Sequence, residues 1–274
     1  MPVFNCENTL AIAIRSILNQ SYTNWELLVM DDGSADRSLE VARNFVDPRI
    51  SVFTDGARRG IAYRLREAVE ISRGEYFARM DGDDIAYPQR LERQIGYLEQ
   101  HLKVDLLGCS MLIFKTDGSV LGTRRAPESH ETICRHPWAG FYIGHPTWMG
   151  RTEWFRVHEY DAKTAGAEDQ VLLLRSFSTS RFAGLPDILC GYREDRLVLR
   201  KILRSRYVFS IAVFREFFKR GHYFIAIRGV LEQCFKALTD TFAITTGLNY
   251  LILRHRAAPF DQVDLQRWEE VRAR

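Results

Sequence analysis

The sequence predicts an α/β fold built on a mostly parallel sheet flanked by helices, and three observations carry that expectation. Over the first hundred residues short apolar runs alternate with helical patterns, the signature of repeated βαβ units. Two of those runs, at residues 26–30 and 75–80, end in acidic turns, Asp31-Asp32-Gly33-Ser34 and Asp81-Gly82-Asp83-Asp84. The length of 274 residues with 46% apolar content is enough to bury one sizeable core, so one domain with an appendage fits better than two full domains.

Taken in order, Leu10, Ile14, Ile17 and Leu18 recur at helical spacing behind Asn8 and Thr9, either of which can cap a helix. Residues 26–30 read as a buried strand, and Ser34 or Asp36 can cap the next helix, whose apolar face carries Leu39, Ala42 and Phe45. A strand at 50–53 and a helix over 60–72 follow. Gly74 ends that helix, and a strand over 75–80 delivers the carboxylates of Asp81, Asp83 and Asp84 at its carboxyl end, where open α/β sheets bind ligands. Pro88 opens an amphipathic helix with Leu91, Ile95, Leu98 and Leu102 on one face. Residues 105–114 and 120–121, joined across Thr116-Asp117-Gly118-Ser119, suggest a hairpin. Loops with a short helix are expected over 123–144, a helix over 169–177 and a last strand over 188–192. From Leu197 onward the pattern is of long helices.

The net charge of +3 is unevenly spread. From Leu197 to the end there are 14 Lys and Arg against 7 Asp and Glu, which leaves the first 196 residues slightly acidic. Arg200, Lys201, Arg204 and Arg206 are followed by Tyr207, Val208, Phe209, Ile211, Phe214, Phe217 and Phe218, then Lys219 and Arg220. Such a basic, aromatic tail either lies on an anionic membrane surface or packs against the body. Five scattered cysteines show no zinc-ligand spacing and read as reduced thiols. With no signal peptide and no stretch of about 18 apolar residues, the cytosol or the inner face of the cell membrane is the expected compartment, and no nucleic-acid partner is expected.

Three carboxylates at one strand end repel one another unless a cation or hydrogen bonds offset the charge. Magnesium or manganese suits that need, because such ions are held by one or two carboxylates with phosphate oxygens completing the shell. The bland alternative is an acidic surface turn. A calcium loop of the EF-hand type would place Asp81, Asp83 and Glu92 at its first, third and twelfth positions, but it fails where Ile85 and Ala86 stand in place of an oxygen ligand and a glycine. Asp32 can accept hydrogen bonds from a base or ribose, or belong to an Asx turn capping the next helix. His136, His145 and His158 match no metal-ligand spacing, so a structural or acceptor-site role fits them better. Trp138, Phe141, Tyr142 and Trp148 suit either a sugar platform or the core.

Over about residues 1 to 195 the chain resembles the GT-A, family 2 inverting glycosyltransferases that build bacterial polysaccharides. The resemblance rests on Pro2-Val3-Phe4-Asn5 with Glu7, on Ser16-Ile17-Leu18-Asn19-Gln20-Ser21-Tyr22, on Trp25-Glu26-Leu27 through Asp31-Asp32-Gly33-Ser34, and on Gly74-Glu75-Tyr76 through Asp81-Gly82-Asp83-Asp84. Pro88-Gln89-Arg90-Leu91, His145-Pro146 and Glu168-Asp169 continue the series in order. It implies a Rossmann-like GT-A fold with a helical C-terminal appendage. Residues 1–106 would form the nucleotide-sugar half, 107–196 the acceptor half and 197–274 the extension.

The resemblance further implies that Asp32, with Pro2 and Phe4, lines the nucleotide pocket. Asp83 would be the principal metal ligand, Asp81 would contact the ribose or the metal shell, and Asp84 would hold the loop. In the acidic pair Glu168-Asp169, Asp169 would be the catalytic base, since an acceptor hydroxyl loses a proton as it attacks the anomeric carbon. The other account of that pair is an acidic first turn complementing a helix dipole.

Three departures stand out. Met1 directly precedes Pro2 where the family has a whole strand, so the first strand is expected to be missing, with Phe4 and Asn5 losing their anchor. Arg66 replaces an Asn common in relatives; with Arg58, Arg59 and Arg64 it reaches a diphosphate or decorates a solvent face. Asp195 occupies the slot where relatives often carry His.

The sequence reading is therefore a metal-dependent inverting glycosyltransferase, using Mn2+ or Mg2+, that moves a sugar from a nucleotide donor, UDP-linked by expectation, to a glycan or lipid-linked glycan. The alternatives are a catalytically silent GT-A domain acting as a binding module, and a nucleotidyltransferase, which the lack of a glycine-rich basic loop near the first strand disfavours.

Overall fold

A computed structural model describes residues 1–248 and 257–272. Its first part runs β1 (Pro2–Val3), α1 (Leu10–Leu18), β2 (Leu27–Asp31), α2 (Ser38–Arg43), β3 (Ile50–Phe53) and α3 (Ile61–Ile71). Then come β4 (Tyr76–Ala78), β5 (Ile85–Ala86), α4 (Arg90–Gln100), β6 (Leu106–Phe114) and β7 (Val120–Arg124). Next are α5 (His130–Ile133), β8 (Met149–Arg151), α6 (Thr152–Val157), α7 (Glu168–Ser176) and β9 (Phe182–Arg193). Among the described residues three helices follow: α8 (Leu199–Lys219), α9 (Tyr223–Thr245) and α10 (Gln262–Arg272).

The strands form two sheets. One is parallel, in the order β1-β2-β3; the other is mixed, in the order β4-β8-β6-β9-β5, with β7 on β6. Parallel pairing in the second sheet is confined to β6 and β9. Every residue of β2 and of β6 is buried, as unbroken apolar runs covered on both faces should be. Helix α1 turns Leu10, Ala13, Ile14 and Ile17 onto that core, and α3 contributes Ala62, Leu65, Ala68 and Val69. In α4, Leu91 and Leu98 are buried, but the helix ends at Gln100 and Leu102 stands 71% exposed beyond it, outside the expected apolar face.

The expected loss of the Asn5 anchor is corrected, because Pro2-Val3 itself forms a short strand. Pro2 and Val3 pair in parallel with Met30 and Asp31. The Met1 ammonium donates to the Leu28 carbonyl at 2.8 Å, and the Asp32 amide donates to the Val3 carbonyl at 2.8 Å. Asn5 keeps its anchor, accepting from the Ala35 amide at 2.9 Å while its own amide donates to Ser34 Oγ at 3.0 Å. The β1–α1 turn is further cross-bonded to the β2–α2 turn, the Cys6 amide donating to Ser38 Oγ at 2.8 Å and the Glu7 amide to Asp36 Oδ2 at 3.0 Å. Below Met1 the two sheets part around a cleft of about 530 Å3 lined in part by Leu27, Leu28, Phe77 and Ala78.

The C-terminal helices belong to the packed body. On α8, Phe209, Val213 and Phe217 are buried in the main core, and Arg206 pairs with Asp240 of α9 at 2.6 Å. These side chains, read from sequence as part of one basic aromatic face, are therefore not all on the surface. Trp268 of α10 is buried in a cluster with Ile85, Tyr87, Leu112, Phe114 and Ile188. Its ring lies 4.4 Å from that of Phe114, and a Cβ at Gly191 would meet it at 2.6 Å, so β9 must carry glycine there. Trp268→Ala is expected to lower stability by about 3–5 kcal/mol, as loss of a large buried aromatic does, measured by urea unfolding. An unchanged midpoint would show that α10 is not part of the folding unit.

Candidate active site

The end of β4 and the turn after it bring Asp81, Asp83 and Asp84 together, with one oxygen of each within 4.8 Å of the others. The turn rests on the β1–α1 segment. Thr9 Oγ1 donates to the Gly82 carbonyl at 3.2 Å, and a Cβ at Gly82 would meet Cys6 Sγ at 3.1 Å and Val3 at 3.2 Å. On the other side Arg193, at the end of β9, donates its amide to Asp84 Oδ1 at 3.0 Å and its Nε to the Asp83 carbonyl at 2.9 Å. Asp84 thus holds the loop, as the resemblance implied for it. Its Oδ2 is buried and has no partner among the described residues.

Beneath this turn lies Arg79, buried, whose Nη2 meets Asp81 Oδ1 at 2.6 Å. Its Nε and Nη1 are buried without a hydrogen-bond partner among the described residues. Burial opposes the charge of Arg79, but Asp81 foremost holds its pKa above the ordinary value. Burial, then the Asp81 charge, pushes the Asp83 carboxyl up to about 6. Burial, then Asp81 and Asp83, raises Asp84 well above the carboxylate range. One internal cation does not neutralise three crowded acids, and the donor set is all hard oxygen with an orphaned carboxylate atom. The residues fit a divalent ion of the magnesium or manganese type.

Asp32 is buried and engaged by its own chain. Its Oδ1 accepts from the Arg59 amide at 2.8 Å and from Arg64 Nε at 3.1 Å, and the Gly60 amide reaches both oxygens at 3.0 Å. Gly60, with φ of 91°, permits that turn. Pro2 is buried beside it in β1, and Phe4 is exposed with the Arg58 guanidinium 4.1 Å above its ring. Asp31 supplies the Asx turn instead, accepting from the Gly33 and Ser34 amides and from Thr54.

The arginines of the β3–α3 region separate. Arg64 is neither at the surface nor free for a phosphate: it is buried and bonded to Asp32, Asp55, Glu67 and the Ala57 carbonyl. Arg66 lies on the rim, 3.7 Å from Glu70 and over Tyr63, in a notch shared with Tyr160. The structure does not bring it into the acidic cluster.

Across the site, α7 begins at Glu168-Asp169. Glu168 Oε2 accepts from the Gly166 amide at 2.7 Å, so it secures the turn into the helix. The Asp169 carboxylate is met by Gln170 Nε2 at 3.5 Å and by the backbone amides of Gln170 and of Asp169 itself. Gln170 is occupied with both the amide and the carbonyl of Phe141. Burial raises both acids, Glu168 with a second contribution from Asp169, and the Arg79 charge acts on each in the opposite sense. Burial raises the Tyr160 hydroxyl, the Arg79 charge opposes that, and the charges of Asp169, Glu168 and Asp81 add to it. His145 Nε2 meets Tyr160 OH at 2.9 Å, and burial, then Arg79, drives its pKa well below 6.5, so it is neutral.

Of the aromatics, Phe141 and Trp148 are core and Tyr142 is exposed. Asp195 accepts from the amide and hydroxyl of Thr116, which fixes the β6–β7 turn. Sequence reasoning had no role for Arg79, Tyr160 or Arg193. The signals were an arginine just before an acidic strand end and one at the end of the last strand.

Arg64→Met would leave Asp32 and its neighbours with a missing buried partner. It is expected to cost about 3 kcal/mol in urea unfolding, with partial recovery in Arg64→Lys. Wild-type stability in Arg64→Met would contradict the role of Arg64 as a strut.

Residues 1–158 match the family model for glycosyl transferase family 2. The putative glycosyltransferase EpsE of Bacillus subtilis (strain 168) is 36% identical over 202 residues, 71% of this chain and 72% of that protein. The UDP-Glc:alpha-D-GlcNAc-diphosphoundecaprenol beta-1,3-glucosyltransferase WfgD of Escherichia coli is 34% identical over 128 residues, 47% of this chain and half of that protein's length. In fold, the chain is similar to S. aureus TarS 1-349 in complex with UDP-GlcNAc, with a TM-score of 0.66 at 16% identity over 98% of this chain and 77% of that one. The family match, covering more than half of the chain and the whole acidic strand end, leads to one conclusion: this protein belongs to glycosyltransferase family 2 and has the GT-A fold.

Proposed function

We propose that the chain transfers a glycosyl group, with inversion, from a UDP-sugar to a hydroxyl of a glycan or lipid-linked glycan, using a divalent metal. The observation that carries this reading is the pairing of an undercompensated acidic triad with a half-buried carboxylate, Asp169, at the start of α7, the Arg79 charge acting on both. The names of the relatives support the donor and acceptor classes: WfgD by its name takes UDP-Glc to a diphosphoundecaprenol-linked sugar, and TarS is complexed with UDP-GlcNAc.

In this reading Asp83 and Asp81 hold Mn2+ or Mg2+, and Asp81, with one oxygen on Arg79, keeps the other for the ribose or the metal shell. When bound, such an ion offsets the charge that grows on a departing diphosphate. Pro2, Phe4 and Asp32 form the nucleotide pocket. Asp32 does so chiefly by fixing the 59–60 turn, with Oδ2 still able to accept a bond from base or ribose. Arg66 can reach a diphosphate only by leaving Glu70. Asp169 takes the proton of the acceptor hydroxyl as that oxygen bonds to the anomeric carbon, and the bond from this carbon to the diphosphate breaks on the opposite face. Glu168 positions Asp169 by holding the start of α7. Residues 1–106 and 107–196 serve donor and acceptor respectively, with 197–274 as the extension.

Asp169→Asn should bind donor as the wild type does while transfer falls by about 10^2-fold or more, because the amide cannot take a proton. Full transfer in that variant would contradict the base assignment. Burial raises the Asp169 carboxyl, so its basic form accumulates only above the ordinary aspartate value of about 3.9. Transfer should therefore rise with pH through the raised value and then level off. Asp83→Asn should abolish metal-dependent donor binding in calorimetry, and donor affinity unchanged by this substitution would remove Asp83 from the metal site.

A further inference from the structure

Helix α9 is built inside out. The positions it turns toward the protein include Gln233 and Asp240, both buried, beside Ala226 and Gly229. The positions it turns to solvent carry Phe224, Ile227, Leu231, Phe235, Leu238 and Phe242, each at least 56% exposed. Their spacing of three and four residues makes one continuous stripe along the helix. The inner face is fixed by polar bonds. Gln233 donates to the Trp138 and Ala139 carbonyls at 3.3 Å, Lys236 donates to Ala139 at 3.0 Å, and Asp240 accepts from Arg206 of α8. Those bonds hold α9 in this rotation, so the apolar stripe is where the fold keeps it. An exposed apolar surface of this extent on a water-facing helix marks a docking face.

The stripe continues onto α8. Phe214 stacks on Phe218 at 5.3 Å between ring centres, and Phe218 meets Tyr223 edge-on at 4.9 Å. Toward the other end of α8 the same helical face, by spacing, carries Arg200 and Arg204, both exposed. Between residues 199 and 245 there are nine Lys and Arg against three acids. All three acids are already paired: Glu216 with Arg220, Glu232 with Lys236 and Asp240 with Arg206. No helix among the described residues is long and apolar enough to cross a membrane.

We propose that α9, with the aromatic end of α8, lies in the plane of a membrane surface that contains anionic lipid. The six apolar side chains of the stripe sit at the acyl boundary, and the unpaired cations of the hairpin meet headgroup phosphates. A second copy of the chain is the other conceivable cover. Charge opposes it, because pairing two such faces brings one cationic excess against another, whereas anionic lipid neutralises it. The face is also joined to the acceptor side of the site. The Trp138 and Ala139 carbonyls held by α9 lead to Phe141, which is bonded to Gln170 beside Asp169, and the Arg204 side chain lies 3.6 Å from where a Cβ on Gly166 would be. Docking in this way presents Asp169 to an acceptor carried by lipid, a consequence that rests on the proposed function; the docking itself does not.

The test is flotation of the full chain with vesicles of phosphatidylglycerol and phosphatidylcholine, against phosphatidylcholine alone, at about 50 and 500 mM salt. The variant Leu231→Glu, Phe235→Glu changes only exposed positions, and its thermal midpoint together with its transfer to a soluble acceptor reports an intact fold. The wild type should float with the anionic vesicles at low salt, and the variant, the neutral vesicles and high salt should each reduce the bound fraction by about 10-fold. Three results would overturn the proposal: a wild-type chain that stays in solution, binding that the variant retains, or a wild-type dimer that the variant dissolves while neither binds vesicles. The last would assign the face to a second copy. None of these bears on transfer to a soluble acceptor, which tests the catalytic reading separately.

Discussion

A guanidinium buried at the end of β4 requires negative charge, and three carboxylates crowded above it require positive charge; much of the site's arrangement follows from that mutual need. Arg79 meets Asp81 at 2.6 Å and acts through space on Asp83, Asp84, Glu168, Asp169 and His145. It is itself held by backbone: its amide donates to the Trp148 carbonyl, and its carbonyl accepts from Arg90. The strand that delivers the acids thus also carries the cation that makes their proximity tolerable. Even with Arg193 also acting on Asp83, the Asp83 and Asp84 carboxyls stay raised, so the crowded acids are only partly offset.

The same residues join the two sides of the molecule. The parallel sheet ends in the turns that carry Phe4 and Asp32, and the mixed sheet ends in Arg193, which caps the acidic turn. Asp84 connects them, because its carboxylate receives the Arg193 amide while its loop rests on Thr9 and Cys6. The helical extension packs on the body, with Trp268 of α10 buried against β6 and β9 and α9 holding the 138–139 backbone. A helix whose outer face is apolar thus holds the backbone that leads to Phe141 and Gln170.

Local pattern made the regular elements legible. The apolar run of β2, the period of α1, α3 and α4, and the hairpin of β6 and β7 were readable because one face or both faces of each are buried. The short strands β5 and β8 were not, since two or three residues make no period and their pairing with β9 and β4 is wholly tertiary. β1 is equally short, and beside its ladder to β2 the segment after it is anchored by side-chain bonds between two turns. In the site, the cluster of Asp81, Asp83 and Asp84 could be anticipated from spacing. That Arg64 is a buried strut while Arg66 is not could not, because positions two apart always face opposite sides of a helix and only the packing decides which side is buried. The exposed stripe of α9 was hidden by composition, since an amphipathic helix shows that it has two faces without showing which one turns inward.

The central claim is that the acidic turn holds a metal and a nucleotide diphosphate. Its most direct measurement is the thermal midpoint of the full chain with a panel of nucleotide-sugars, each in the presence of Mn2+ and of a chelator. The account predicts that a uridine-diphosphate sugar raises the midpoint with Mn2+ and not with chelator, as binding to the folded state alone requires. Indifference to every donor with Mn2+ present, or a shift that survives the chelator, would contradict it, and the former would favour a GT-A domain that binds without catalysing.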